Sequence, residues 1–391
     1  MTHNAYTLSA IQACPLNRLL LWSLFVMFIL TKHSQADPAP AWSRALSPQS
    51  ITFPADHFSH PEFKTEWWYF TGNLVSESGE PMGFQFTLFR QGLRPPGSVK
   101  ANSAWIPAAF GFGHAAVSLP QRKEFLFGQL LERGSHGSVD FPTFAPDRQA
   151  HNEPALLARV GDWSVTLMPD GQFTMKATVP GAEIALVAKP QYAPMLQGDR
   201  GLSQKAAGPG NASYYFSIPR LETQGTITTH GKTQSVRGTS WLDREWASNQ
   251  LAAGQVGWDW FAIQLDDGRD LMIYQMRLAN GGRDPYSHGT LRQPDGHIIP
   301  ISAESYSLKP GKIWTSKTTG GAYPITWELK IPDLNLDLVI EAAQENQELP
   351  LSPVAYYEGS IHVHSPRSPT RGIGYMELTG YAQALEVLQS R

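Results

Sequence analysis

Along the chain, apolar and polar residues alternate with a period of two over short runs, and clusters of Gly, Pro, Asp and Asn separate the runs. The run Glu66-Trp67-Trp68-Tyr69-Phe70 breaks the pattern, because both of its faces are aromatic. In an extended chain Glu66, Trp68 and Phe70 share one side, and Trp67, Tyr69 and Thr71 share the other. A strand with one solvated face would be polar at alternate positions, so this one is expected to line a cavity or to lie between two layers. Turn residues Ser76 to Glu80 lead to Gly83–Arg90, which reads as the second arm of a hairpin. Ala108 to Leu119 predicts a strand whose small residues permit close approach. Further strands are expected over 163–168, 172–179, 183–188, 213–218, 226–229 and 233–237.

The second half repeats the design. Gly257-Trp258-Asp259-Trp260-Phe261 opens an aromatic strand, Asp266-Asp267-Gly268 supplies the turn, and an apolar strand ends in Arg277, as the earlier hairpin ends in Arg90. Internal duplication follows as an expectation, with the junction near Thr229 to Gly238. Strand rhythm continues over 335–342, 356–364 and 372–381, and only Ala382 to Gln389 has a helical pattern. The fold class predicted is all-β, with barrels or sandwiches.

Composition agrees. Twelve Trp, 13 Tyr and 18 Phe with 34 Gly and 30 Pro suit many short strands joined by turns, and 391 residues suit two domains. The first 36 residues carry Arg18, Lys32 and no acid, and the apolar run Leu19 to Leu30 is short for a membrane span. Ser34-Gln35-Ala36 then offers a cleavage site, so residues 1–36 read as a signal peptide and the protein as periplasmic or secreted. The domain expectation is an unstructured lead-in at 37–52, an N-terminal barrel at 53–235 and a C-terminal barrel at 236–391. Cys14 lies ahead of the apolar run and leaves with the signal, so the mature chain has no thiol. Removing the signal changes the balance from 31 bases against 34 acids to 29 against 34, and a net charge of −5 argues against nucleic acid as a partner.

Familiar sites are missing: there is no Gly-x-Ser-x-Gly elbow, no His-Glu-x-x-His and no phosphate-cradling loop. His57, His60 and Glu66 have donor types that suit zinc, but Pro61 interrupts the spacing, and loop histidines bonded to backbone are the expectation. Neither a metal nor a cofactor is predicted. In Trp241-Leu242-Asp243-Arg244-Glu245-Trp246 the acids share one face with Trp241, while Arg244 and Trp246 share the other. Such a cluster is either an acid clamp at a cavity, with Asp243 or Glu245 raised in pKa, or a salt-bridged link between domains. Glu66, beside four aromatics, is either protonated or paired with an arginine such as Arg90, and Glu358 and Glu377 pose the same question, with pairing expected. Asp259 points away from its flanking tryptophans and is expected to be exposed or between domains. Arg90 and Arg277 either close barrel ends over aromatic rings or touch ligand.

Pro54-Ala55-Asp56-His57 with Thr65-Glu66-Trp67-Trp68-Tyr69, then Trp241 to Trp246, Gly257 to Phe261 and Gly374 to Tyr381, together resemble the AttH-like, hydroxyneurosporene synthase (carotenoid 1,2-hydratase) family. The resemblance runs in order from Phe53 to Tyr381. It implies two lipocalin-like (calycin) antiparallel β-barrel domains packed together and, for some members, addition of water to a carotenoid double bond; other members are described as secreted hydrolases. In the carotenoid hydratases the segment matching Asp243-Arg244-Glu245 looks like an Asp-His-Asn type motif, so Arg244 replaces a histidine. A strand acid of the family falls near Tyr274-Gln275-Met276, where this chain has none. Both departures favour binding over hydration.

The expected function is therefore an exported lipocalin-like protein that binds an elongated hydrophobic small molecule or lipid, with an envelope or membrane-transport partner. The alternative is a carotenoid 1,2-hydratase-like enzyme that adds water to an isoprenoid double bond, using Asp243, Glu245 or Glu66 as acid, or a related secreted hydrolase. The expected ligand contacts are Trp67, Trp68, Tyr69, Arg90, His114, Trp241, Arg244, Trp246, Trp258, Trp260 and Tyr274.

Overall fold

The computed structural model describes Met1 and residues 40–98, 107–134, 137–146, 153–249 and 251–385. Residues 2–36 of the expected signal peptide lie outside the described residues, as do 386–389 of the expected helix, and Ala382–Leu385 carries no helix. In the stretch expected as an unstructured lead-in, residues 41–51 have no regular secondary structure, yet they pack on the strands. Ala45 is buried, and the Trp42 ring occupies the space beside Gly92 that a Cβ would need.

The regular secondary structure is nearly all β-strand and forms two curled, antiparallel, lipocalin-like sheets. In the first, the opening strand Thr65–Ser76 is flanked by the next strand, Pro81–Gly92, and by the last, Lys232–Ala247. In the second, the opening strand Gln255–Leu265 is flanked in the same way by Asp270–Leu278 and by the last, Arg371–Leu378. The duplicated hairpins are thus duplicated topology. Lys232–Ala247 crosses the expected 235/236 boundary and pairs with the first sheet along its length, because its aromatic half completes the same two-faced surface as Thr65–Ser76. The change of sheet falls between Ala247 and Gln255.

Among the described residues the buried apolar side chains gather in three large clusters and a small fourth around Ala116, Leu349 and Tyr356. Trp68, Phe70, Phe84, Phe86, Trp163 and Phe173 fill the inside of the first sheet. Phe261, Tyr323, Trp327, Ile340 and Tyr357 fill the second. Fully burying one such side chain contributes about 1.5–3 kcal/mol. The small residues of Ala109–Leu119 serve this filling, since a Cβ on Gly113 would lie 2.7 Å from the Trp163 ring. A third cluster, with Tyr69, Tyr215, Trp241, Trp260, Met272 and Tyr375, joins the outer faces of the two sheets. Both faces of Thr65–Ser76 are aromatic because one fills the first sheet and the other meets the second.

Candidate functional site

Among the described residues, the inside of each sheet is filled by apolar side chains. The cavity lies between the sheets, encloses about 200 Å³, and is walled by the outward faces of strands from both. From the first sheet come Trp67 and Tyr69, Phe89, Phe112 and His114, Tyr215, and Asp243 and Glu245, with Lys205 from a loop. From the second come Trp258 and Trp260, Tyr274 and Met276, Tyr356 and Glu358, and Glu377. Trp67, Phe89, Gln91, Phe112, Trp258 and Val354 are half-buried and form its rim.

Alternation sorts the expected site residues. Asp243, Glu245, Trp67, Tyr69, His114, Trp258, Trp260 and Tyr274 reach the cavity. Trp241 lies just below it and donates its indole N–H to Asp243 Oδ1 at 2.7 Å. Glu66, Trp68, Arg90, Arg244 and Trp246 point the other way, into one end of the first sheet. There Glu66 is paired with both Arg90 and Arg244 and accepts from Ser59 Oγ at 2.6 Å and the His60 amide at 3.0 Å. Arg244 stacks over Trp68 at 3.9 Å and donates to the Phe58 carbonyl at 2.6 Å. Burial alone would raise the Glu66 pKa, but Arg244, His60 and Arg90 hold it well below the usual carboxylate range. Glu66 is therefore an ionised group that pins the 58–63 segment across the end of the sheet.

The histidines belong to that end as well. His57 packs against Phe53, Phe173 and Phe216, and burial lowers its pKa to about 3. His60 stacks on Trp246 at 3.9 Å and shares a 2.9 Å hydrogen bond with Asp56. The second sheet has a counterpart. Asp259, expected to be exposed or between domains, is fully buried inside it, 3.2 Å from Arg277, which stacks over Tyr381 at 3.7 Å.

Four carboxyl groups face the cavity. Asp243 accepts from Tyr215 and Ser217 at 2.5 Å each and from Trp241; burial dominates these bonds, and its pKa rises to about 7. Glu377 accepts from the Trp258 indole at 3.0 Å, and burial, together with Asp243 and Glu245, raises it to about 8. Glu358 accepts from Tyr69 at 2.9 Å and is pushed well up by burial and by Glu377. Glu245 pairs with Lys205 at 3.1 Å. The pairing expected for Glu358 and Glu377 is not what the fold provides: among the described residues each receives one neutral donor and no cation. At another part of the wall His114 shares a 2.6 Å hydrogen bond with Tyr356, and burial lowers the histidine to about 3, so it is neutral.

The sequence offered no signal for Lys205, which lies on a loop. Glu358 and Glu377 were visible as acids, but only the register of Tyr356–His364 with Arg371–Leu378 sets them side by side. Tyr215 and Tyr356 were visible only as aromatics within strands.

The AttH-like family profile matches residues 44–381. The chain belongs to the AttH-like family. A solved structure of the AttH candidate of Nitrosomonas europaea is 29% identical, covers 87% of this chain and 99% of its own, and superposes with a TM-score of 0.76. The kievitone hydratase of Nectria haematococca is 14% identical, covers 88% and 97%, and has a TM-score of 0.62, a likeness of fold. The dehydratase asqC of Emericella nidulans is 20% identical over 161 residues, 39% of this AttH-like chain and 44% of the dehydratase. The match thus spans less than half of that relative.

Proposed function

We propose that this AttH-like protein binds an elongated apolar molecule between its sheets and there adds water across a carbon–carbon double bond, or removes water from an alcohol to form one. One observation carries the reading: Asp243 and Glu377, on opposite walls of an aromatic cavity, are carboxyl groups raised to about 7 and about 8. Hydration of an isolated alkene needs a protonated acid in a dry site, and Glu377 supplies one at neutral pH. Its proton goes to one alkene carbon, and the carbocation forms between the faces of Tyr69, Trp258 and Trp260. Water attacks the cation and gives a proton to Asp243, which is poised near its pKa to accept it; dehydration is the reverse sequence. The hydratase among the fold neighbours and the distant dehydratase relative favour this reading over plain carriage.

Carriage of an isoprenoid, carotenoid or acyl lipid by the same cavity is the second reading, favoured by its largely apolar wall. In either case we propose export to the cell envelope, on the strength of the apolar run Leu19 to Leu30 and the Ser34-Gln35-Ala36 site. The purified mature chain, incubated with lycopene-type and shorter isoprenoids in heavy-oxygen water, distinguishes the two. Label in the product, lost in Asp243→Asn and Glu377→Gln, is expected of the enzyme. Intact bound ligand without label in any isoprenoid would leave carriage.

A further inference from the structure

The cavity wall also holds an ion pair, which an apolar occupant does not explain. Lys205 and Glu245 form an ion pair at 3.1 Å in its wall, with side chains 14% and 8% exposed. The ammonium lies 4.9 Å from the centre of the Tyr215 ring and 4.4 Å from that of Tyr274. Burial opposes its charge, yet Glu245 and Tyr274 keep its pKa above the usual lysine value. Ion pairs in such surroundings are generally no more stabilising than apolar residues of the same volume, so stability does not account for this one.

We propose that Lys205 and Glu245 form the subsite for the head of the ligand, and that this head is a neutral hydroxyl, an alcohol or a phenol. The inference rests on the reading of the cavity given above and names the class of molecule that fills it. The pair offers N–H donors on one side and carboxylate lone pairs on the other. A hydroxyl satisfies both at once: its oxygen accepts from Lys205 and its hydrogen is donated to Glu245. A hydrocarbon would cover the pair and strip it of water without replacing any hydrogen bond. A carboxylate head would meet Lys205 but would bring a second negative charge beside Glu245.

The test compares farnesol, farnesoic acid and farnesene, isoprenoids that differ only at the head, by titration calorimetry at neutral pH. The mature protein is expected to bind farnesol at least about tenfold more tightly than either of the others, one hydrogen-bonded contact being worth about that factor. In Lys205→Met/Glu245→Met, which removes both charges at similar volume, the three affinities are expected to converge while farnesene binding persists. Lys205→Arg is expected to keep the preference. Equal binding of farnesol and farnesene by the wild type, a preference for the acid, or an unchanged preference in a double variant that melts cooperatively would overturn the head subsite and leave the cavity reading intact. No binding of any of the three would overturn both.

Discussion

Glu358 and Glu377 stand directly opposite one another on adjacent antiparallel strands, both face the cavity, and among the described residues neither has a cation. Two carboxyl groups in that position cannot both ionise cheaply, so the fold keeps protons that the unfolded chain releases. The native state then binds more protons than the unfolded state, and stability falls as pH rises from the ordinary carboxylate range through about 8 for Glu377. Glu377→Gln removes part of that dependence. Its melting temperature relative to wild type is expected to climb steadily between about pH 5 and pH 8, and a difference that does not vary with pH would contradict the assignment.

Asp243→Asn is expected to lower hydration by roughly 10²–10⁴-fold, the usual worth of a positioned acid or base, while ligand affinity changes little. With Asp243 raised to about 7 and Glu377 to about 8, the pH–rate profile should be a narrow bell with limbs near those values. Initial rates across that range check both points, and a profile flat through it would remove the two carboxyls from the chemistry.

Glu66→Gln is expected to act on folding. It leaves Arg90 and Arg244 buried without their shared carboxylate, which costs about 3–5 kcal/mol. Because Glu66 is held well below its ordinary range, the stability it confers is present above about 4.5 and is lost as pH falls below that. Urea titration should show the loss, whereas protein that remains folded should bind ligand as wild type does. A large fall in affinity without a fall in stability would instead place Glu66 in the site.

Phe86→Ala and Trp67→Ala should separate in the opposite sense. Phe86 is fully buried inside the first sheet, so its truncation costs about 3–5 kcal/mol and leaves the cavity between the sheets unaltered. Trp67 is half-buried at the rim, so its loss should weaken binding roughly tenfold at small cost in stability. Melting curves and ligand titration of the two variants together decide whether the occupied space lies between the sheets or within one.

Much of the architecture was legible in the chain. The aromatic hairpin at 66–90 and its echo at 258–277 announced two similar antiparallel units, because a period of two and its turn residues are local properties. The same alternation correctly grouped Trp241, Asp243 and Glu245 on one face and Arg244 and Trp246 on the other. Alternation identifies the two faces of a strand, but not which of them looks inward. That is why Glu66 looked as good a candidate acid as Asp243. It also left open whether the aromatic strand lines a cavity or lies between layers; the barrel interiors are filled by Trp68, Phe86, Trp327 and their neighbours, and the space lies between the sheets.

By itself, then, the sequence determined an all-β chain of two related units, the alternation within each strand, and the family. Tertiary structure alone decided the protonation of the acids and the place of the cavity. Glu66 is ionised because the other arm of its own hairpin brings Arg90 to it and a strand far along the chain brings Arg244, whereas Asp243, Glu358 and Glu377 are raised because packing of two sheets dries them beside neutral donors. Desolvation and charge pairing depend on what surrounds a group in space, and for these residues much of the surroundings comes from strands that no local pattern in the sequence connects to them.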